Sequence, residues 1–289
     1  MARVAQWLGT LDAIGKAAGL VLVFFVFAAL AAPLITTIDP GLQRDVVHTR
    51  FLPPLSTDLH GVFHPLGTDR FGRDVWARLA YGARISLGTG VLAVFLSVVI
   101  GVAVGAVAGL WQRRVGILLM GLTDFGLALP RVVLLLLLAA LWRPSATLVV
   151  LVLGLTGWMT LARLVYGETR ALVVRPFVDS AVALGADKRR ILWRHVVPNV
   201  LGPVVVSAAL SLGNTIMLES GLSYLGLGVQ PPTPSWGGMI ASGRDTLVNA
   251  PWVAVAPGIA LVLVVLATAL IGDALRQHEQ CRWPMPPRR

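Results

Sequence analysis

The sequence predicts an all-α membrane protein with six transmembrane helices. Its 289 residues are 56% hydrophobic and only 13% charged, whereas a soluble domain carries about 25% charged residues. The mean hydropathy is +0.78. Six apolar stretches are each long enough, at about 1.5 Å rise per residue, to cross about 30 Å of hydrocarbon. These stretches are residues 17–38, 85–111, 115–141, 146–166, 200–220 and 252–272.

The positive charges are concentrated in particular connecting segments. The formal net charge of +10 would, taken alone, suit nucleic-acid binding. Most lysines and arginines, however, flank the apolar stretches on one side, which the positive-inside rule assigns to the cytoplasm. An even number of spans places both termini on that side. We therefore predict a protein of the lipid bilayer, with both termini cytoplasmic and no nucleic-acid partner.

The apolar stretches also divide the chain into segments. We predict a cytoplasmic lead (1–16), a first transmembrane helix (17–38), an external segment (39–84), a region of five further membrane helices (85–275) and a cytoplasmic tail (276–289). A cleaved signal peptide is the alternative for the first helix. That stretch is longer than a typical signal-peptide core and lacks a small-x-small cleavage site. We therefore favour an uncleaved span.

No motif for nucleotide binding or catalysis is present in the sequence. Gly15-Lys16 has the wrong glycine spacing for a P-loop and is followed by Ala17 rather than serine or threonine. The single cysteine, Cys281, excludes an intrachain disulfide. We predict that the chain is not an ATPase and carries no catalytic residue, metal site or cofactor.

A polar interval, residues 168–198, separates the fourth and fifth apolar stretches. Helical spacing places Phe177, Val178, Ala181, Val182 and Leu184 on one face, with Asp179 and Ser180 opposite. Gly185 can take a positive φ and end this helix. Asp187 can cap a second short helix that carries Lys188, Arg189, Arg190 and Arg194. From the pattern alone, the interval is either a docking element for another protein or a basic loop that only sets the topology.

A family resemblance favours docking. The triplet Asp179-Ser180-Ala181, Gly185 six residues after Asp179, and Pro198 nineteen after it resemble the EAA loop of ABC importer permeases. In that family the loop forms a coupling helix that sits in a groove of the ATPase subunit. The family prefers Glu-Ala-Ala, from which this chain departs. The resemblance implies ATPase-coupling roles for Phe177, Asp179, Ser180, Ala181, Leu184, Gly185, Ala186 and Pro198.

Two further segments carry a more specific resemblance. Residues 64–74, HPLGTDRFGRD, resemble the HPLGTDxxGRD segment that precedes the second span externally in the peptide and nickel importer subfamily. Residues 222–237 resemble its LSFLGLGxQPPxPSWG segment, with Tyr224 in place of Phe. We expect an external rim in which the charged residues pair with one another or with a partner permease, and in which the tryptophan is an interface anchor. The expected rim residues are Asp69, Arg70, Arg73, Asp74 and Trp236.

The apolar stretches contain a glycine repeat and three charges. Glycines at 101, 105 and 109 recur every fourth residue and make a smooth face for close helix packing. Charges at membrane depth normally face a cavity or a partner rather than lipid. We assign Asp124, Arg131 and Glu219 to the translocation path or to helix interfaces. Asp124 and Pro130 resemble the family's Asp…Ala-Leu-Pro pattern, whereas Arg131 departs from it.

The resemblance covers roughly residues 60–275. It implies a type I (MetI-like) ABC importer core and a C-type permease subunit of a dipeptide, oligopeptide or nickel importer in a bacterial or archaeal cytoplasmic membrane. The implied partners are a homologous permease, two ATPase subunits that bind ATP and Mg, and an external solute-binding protein. Transport would proceed by alternating access. A peptide, a nickel complex and a glutathione-like solute all fit the sequence, and a peptide is our expectation.

Two other readings belong to different classes of protein. An ion-coupled secondary transporter would need intramembrane carboxylates, and Asp124 and Glu219 are available. That reading lacks a visible inverted repeat and gives the 168–198 interval no purpose. A membrane scaffold that transports nothing would explain the spans but not the motifs.

Overall fold

The structure, a computed structural model, describes residues 13–43, 45–111 and 114–282. The predicted cytoplasmic lead and tail therefore lie partly outside the described residues. The helices are α1 (Ala13–Leu30), α2 (Ala32–Ile35), α3 (Val46–Thr49), α4 (Val75–Leu110), α5 (Arg114–Ala128), α6 (Arg131–Leu141), α7 (Ala146–Val173), α8 (Pro176–Ala183), α9 (Lys188–Ile191), α10 (Val197–Tyr224), α11 (Trp236–Gly243) and α12 (Trp252–Arg282). A π-helical turn, Leu192–Val196, joins α9 to α10. Strands β1 (Ser56–Thr57) and β2 (Phe63–His64) form an antiparallel pair in which Ser56 lies opposite His64.

Five of the described helices are long and apolar enough to cross a membrane as single elements. They are Ala13–Leu30, Val75–Leu110, Ala146–Val173, Lys188–Tyr224 and Trp252–Gln277. The predicted third span is instead a bent pair, α5 and α6, whose axes differ by 89°. Pro130 causes the break because a proline disfavours the helical conformation in the residue before it, and Pro130 itself caps α6. The prediction of six spans therefore holds only if the bent pair counts as one.

Two predicted boundaries fall inside helices. The segment predicted as external, 39–84, includes the first turns of α4, because Asp74 caps that helix by accepting a hydrogen bond from the Ala77 amide at 2.7 Å. Likewise Pro198 does not separate the polar interval from the fifth span. It lies in the first turn of α10, within a helix that is continuous from Lys188. The π-helical turn Leu192–Val196 ends two residues before it, and such a break in the α-helical hydrogen-bond register accommodates a residue that has no backbone N–H.

The bent pair α5–α6 brings the chain from the end of α4 back to the end at which α4 begins. The next helix, α7, therefore runs parallel to α4, and the two pack closely. A Cβ added at Gly101 would lie 2.7 Å from the Leu161 side chain, and one added at Gly109 would lie 2.6 Å from Thr169. Gly105 lies between them and faces Ala162. These contacts confirm the helix-packing interpretation of the glycine repeat, because only glycine lets the two backbones approach this far.

The remaining long helices define two ends of the molecule. α10 runs antiparallel to α4, with Ile216 against Gly90, and α12 runs antiparallel to α10, with Thr268 against Gly213. We call the end that carries residues 36–74 and 225–251 the rim end, and the end that carries residues 174–191 the loop end. α1 begins at the loop end and α12 finishes there.

Each end has its own apolar core. At the loop end the core consists of Ala106, Leu110, Val165, Leu172, Val178, Ile191, Val196, Val200 and Val204. Nearer the rim end it consists of Phe25, Ala29, Ala83, Leu87, Ile216, Trp236, Ala260 and Val264. Many large apolar side chains on the outside of the bundle are exposed, Leu20, Leu118 and Val133 among them. This is the arrangement expected where lipid is the solvent.

We expect Gly105→Leu to destabilise the protein, because its Cβ would lie 2.5 Å from the Ala162 carbonyl oxygen. Overpacking of this kind costs about 1–3 kcal/mol. The thermal unfolding midpoint of the purified protein measures the effect. Gly88→Leu on the same helix is the matched control, because an added Cβ there has no heavy atom within 4 Å. Equal midpoints for the two variants would contradict the role assigned to the α4–α7 contact.

Candidate functional site

The loop end presents two short helices joined at a left-handed glycine, as the sequence predicts. Gly185 has φ +82°, and its amide donates to the Val182 carbonyl at 2.9 Å. The Ala186 amide donates to the Ala181 carbonyl at 2.9 Å. This pair of bonds is the Schellman arrangement, which ends a helix with a left-handed residue. Asp187 then caps α9 by accepting from the Arg190 amide at 3.0 Å.

The faces of α8 differ from the predicted single apolar face. Val178 is only 3% exposed and packs into the loop-end core of this chain itself. Phe177, Val182 and Leu184 are 42%, 53% and 90% exposed. A helix of two turns must bury some apolar surface on its own protein to be held in place. The apolar group that α8 leaves for a partner is therefore Phe177, Val182 and Leu184, without Val178.

The other members of the predicted ATPase-coupling site lie around that apolar group. Asp179 and Ser180 are exposed, and the Ser180 hydroxyl donates to the Pro176 carbonyl at 2.9 Å. Ala181 is half-buried, and Ala186 packs against the loop-end core. Pro198 is exposed and lies two residues beyond the π-helical segment. The Phe177 ring lies 5.9 Å from the ring of His195, which is in that segment.

A basic surface lies beside the exposed end of α8. Lys188, Arg189, Arg190 and Arg194 are exposed, and so is Trp193. The three arginines and Trp193, together with Asp187, line a shallow pocket of about 560 Å³. The loop end thus places exposed apolar side chains next to a concentration of positive charge. A partner with an apolar groove and acidic borders would complement it.

The intramembrane charges lie in separate places. Asp124 on α5 forms an ion pair with Arg163 on α7, and both side chains are about half-exposed. Arg131 does not pair with Asp124. Its guanidinium approaches Gly157 on α7, and among the described residues its buried Nε has no hydrogen-bond partner. Of the two groups, Asp124 is therefore at a helix interface.

Glu219 lies on α10 near the rim end and is fully buried. It accepts hydrogen bonds from the Ser223 hydroxyl at 2.8 Å and from the Ser220 hydroxyl at 3.3 Å. The Ser223 hydroxyl oxygen in turn accepts from the Val229 amide at 3.3 Å. Glu219 therefore ties the end of α10 to the segment that follows it.

An ion pair organises the rim end. The Asp69 carboxylate accepts from Nε of Arg73 at 2.7 Å and lies 2.7 Å from its second guanidinium nitrogen. The Arg78 guanidinium is 3.8 Å away and donates to the Pro40 carbonyl at 3.0 Å. All three charged side chains are buried. Arg70, by contrast, is exposed and stacks on Phe71 at 4.6 Å. It joins none of these ion pairs among the described residues, and its pairing with a partner chain stays a prediction.

Asp74 has a different partner from the one expected. Its carboxylate accepts from Nδ1 of His64 at 2.8 Å and from the Ala77 amide at 2.7 Å. It therefore joins the β1–β2 hairpin to the first turn of α4. Sequence spacing did not connect His64 with Asp74, because ten residues separate them and only the fold of the intervening segment brings the two side chains together.

Trp236 is buried completely, which corrects its assignment as an interface anchor. Its indole N–H donates to the Leu79 carbonyl at 3.1 Å, and its backbone amide donates to the Ser86 hydroxyl at 3.2 Å. Its ring meets Phe25 edge-on at 5.6 Å. A buried tryptophan usually needs a hydrogen-bond partner for its N–H group, and the Leu79 carbonyl provides one. Trp236 thus fixes α11 against α4 and α1.

Comparison with known proteins gives a consistent result. Residues 101–279 match the model of a family described as "Binding-protein-dependent transport system inner membrane component". The chain is 38% identical over 258 residues to the di/tripeptide transport system permease protein of Pseudomonas aeruginosa strain UCBPP-PA14, which covers 89% of this chain and 84% of that protein. It is 37% identical over 214 residues to the oligopeptide transport system permease protein of Haemophilus influenzae, covering 74% and 69%.

Similarity to solved structures agrees with these matches. A chain from inward-facing crystal forms of the MetNI methionine ABC transporter superposes with a TM-score of 0.56. The superposition covers 69% of this chain and 95% of that one, at 16% sequence identity. At that identity the likeness concerns the fold alone.

We expect Asp69→Ala to lower the stability of the rim end, because it leaves the buried Arg73 and Arg78 guanidinium groups without their carboxylate. Breaking a buried ion pair from one side costs about 3–5 kcal/mol. Thermal unfolding and the yield of assembled protein measure the loss. Asp245→Ala is the control, because Asp245 pairs with Arg244 on the exposed surface, where little change is expected. A wild-type midpoint for Asp69→Ala would show that the pair does not stabilise this end.

Proposed function

The chain belongs to the family of binding-protein-dependent transport system inner membrane components, and from that membership we propose that it is the C-type permease subunit of a peptide importer. Family members are ABC importer permeases rather than enzymes, and they work with ATPase and binding-protein partners. The names of the relatives support di- or oligopeptides as the solute. We propose a second, homologous permease, two ATPase subunits and an external binding protein as the partners.

One observation carries the proposed coupling to ATPases. Val178 of α8 and Ile191 of α9 belong to the same buried core as Leu110 of α4, Leu172 of α7 and Val200 of α10. A force applied to the exposed side of α8 is therefore transmitted by close packing to three membrane-spanning helices at once. An exposed loop that was not anchored in this core could bind a partner without moving the spans.

The proposed mechanism is alternating access. ATP binds to the partner subunits, and their closure displaces α8 and α9 together. The three anchored helices then rock, and the path between the two permeases changes from inward-open to outward-open. ATP can drive this change only if the ATPases bind the two permease conformations with different affinity. The loop-end contact surface is where this chain would provide that difference.

We propose that the loop end is cytoplasmic. Its basic residues are exposed in the described structure, whereas two arginines of the rim end, Arg73 and Arg78, are buried against Asp69. The positive-inside rule favours the end with uncompensated lysines and arginines. The binding protein would then dock at the rim end. Since α1 begins and α12 finishes at the loop end, both termini are cytoplasmic in this orientation.

The alternative, an ion-coupled secondary transporter, has no support. Asp124 is paired with Arg163. Glu219 accepts from the hydroxyls of Ser220 and Ser223, and the Ser223 hydroxyl also accepts from the Val229 amide of the following segment. An ion-coupling carboxylate must bind and release its ion during each cycle. Both groups have structural partners instead, and the relatives are permeases of peptide transport systems.

We expect Gly185→Glu to leave the permease inserted and paired, but to abolish ATPase stimulation by the loaded binding protein and to abolish uptake. The left-handed φ costs a side chain about 1–2 kcal/mol, while an added Cβ meets no atom of this chain within 4 Å. The main loss therefore arises where the charge meets the ATPase. The reconstituted complex is tested for ATPase co-purification, stimulated hydrolysis and uptake.

Two matched variants separate the causes. Gly167→Glu adds the same charge at an exposed glycine of α7 with no atom within 4 Å of its Cβ, and should retain transport. Gly185→Asn keeps a residue that tolerates positive φ, and should retain more activity than Gly185→Glu. Asp179→Ala should have a smaller effect than Gly185→Glu, because the loop already departs from Glu-Ala-Ala. Full transport by Gly185→Glu would refute the coupling role.

We also expect a cysteine at Lys188 to react with a membrane-impermeant maleimide only from the cytoplasmic side. The substitution is made in a Cys281→Ser background, since Cys281 is the only cysteine in the sequence. A cysteine at Leu59, an exposed residue of the β1–β2 turn at the rim end, should show the opposite accessibility. Labelling of position 188 from outside would reverse the proposed orientation.

A further inference from the structure

A pocket of about 500 Å³ opens at the rim end, between the segment after α2 and the β1–β2 hairpin. Three carboxylates and one imidazole are part of its described lining: Asp39, Asp58, Asp74 and His64. The side chains of Asp58 and His64 are 6% and 5% exposed. The proposed transport function uses none of these groups as a ligand site.

His64 presents an unused acceptor to this pocket. Its Nδ1 lies 2.8 Å from Asp74 Oδ1 and donates to that carboxylate oxygen, so that in the neutral imidazole Nε2 is an acceptor. Its Nε2 is buried and has no hydrogen-bond partner among the described residues. The nearest charged atom recorded for Nε2 is Asp58 Oδ2 at 3.7 Å, which is too far for a hydrogen bond.

Asp58 presents a second acceptor. Its Oδ1 already accepts from the His60 amide at 2.9 Å and the Val62 amide at 2.8 Å, which leaves Oδ2 facing His64. Burial raises the pKa of Asp58, but the influences that lower it, led by hydrogen bonds from the Val62 and His60 amides, are larger together, so that the net pKa is below its ordinary value. Asp58 is therefore an anion at neutral pH.

Asp39 stands in the exposed part of the pocket. Its Oδ1 accepts from the Gly41 amide at 2.7 Å, and the rest of the carboxylate adds negative charge. Arg73 and Arg78, in the same rim, are paired with Asp69. The described polar side chains here thus combine unused acceptors with net negative charge.

We propose that this pocket binds a primary ammonium group between His64 Nε2 and Asp58 Oδ2. Two acceptors 3.7 Å apart can both lie about 2.8–3.0 Å from one nitrogen, and an ammonium supplies three donors and a positive charge. A divalent metal fits less well, since the described residues contain no group of three or more histidine, cysteine or acidic side chains able to hold one. The ammonium belongs either to a free small amine or to a lysine of a docked protein.

The test is a calorimetric titration of n-propylammonium, the probe, into the whole importer in lipid nanodiscs. We expect saturable binding that tetramethylammonium, a cation without N–H donors, does not reproduce. Asp58→Asn should weaken it about tenfold or more, while its amide oxygen still accepts from the His60 and Val62 amides and keeps the turn folded. Asp39→Asn is a second variant with a smaller expected loss.

Asp45→Asn is the matched control, because Asp45 lies in the same segment but is exposed and paired with His48, outside the pocket.

Competition of propylammonium with docking of the loaded binding protein identifies a lysine as the occupant, whereas saturable binding without competition identifies a free amine. The proposal is overturned if propylammonium neither binds saturably nor competes, if tetramethylammonium binds equally, or if Zn²⁺ binds there and the amine does not. None of these readouts depends on uptake, so a failed coupling test leaves them interpretable.

Discussion

In lipid no hydrophobic effect draws helices together, so α4 and α7 are held by close contact along Gly101, Gly105 and Gly109. This contact sets the positions of the other elements. It brings Leu110 and Leu172, near the ends of the two helices, into one core, and that core receives Val178 and Ile191. The proposed coupling surface is consequently fixed to the membrane helices through packing that begins at three glycines.

The buried charges follow a second constraint, which is that each must have a partner or cost several kcal/mol. Asp69 satisfies Arg73 and Arg78, Asp74 satisfies His64 and the first turn of α4, and Glu219 is satisfied by serines. The links from Asp69 to Arg78 and from Asp74 to the first turn of α4 each join the rim segment to a long helix. The rim end is therefore held by electrostatics and hydrogen bonds, whereas the loop end is held by apolar packing.

This difference between the ends matches what each end is proposed to do. An apolar core transmits displacement without a preferred direction of bonding, which suits a surface that is moved by a partner. Directional ion pairs and hydrogen bonds preserve one geometry, which suits a surface on which a second protein must dock repeatedly. The unused acceptors of His64 and Asp58 differ from the nearby carboxylates of Asp69 and Asp74, which have hydrogen-bonded partners.

The sequence by itself determined the membrane class, the glycine contact and the α8–Gly185–α9 turn, because each rests on local composition or on spacing within one helix. The permease resemblance is confirmed by the family match and by the relatives. Only the tertiary structure decided that Val178 faces inward, that Trp236 is buried, and that Asp124 pairs with Arg163 rather than Arg131. Those outcomes depend on contacts between residues far apart in the chain. Helical spacing states which side chains share a face, but the neighbouring helices decide which face is covered.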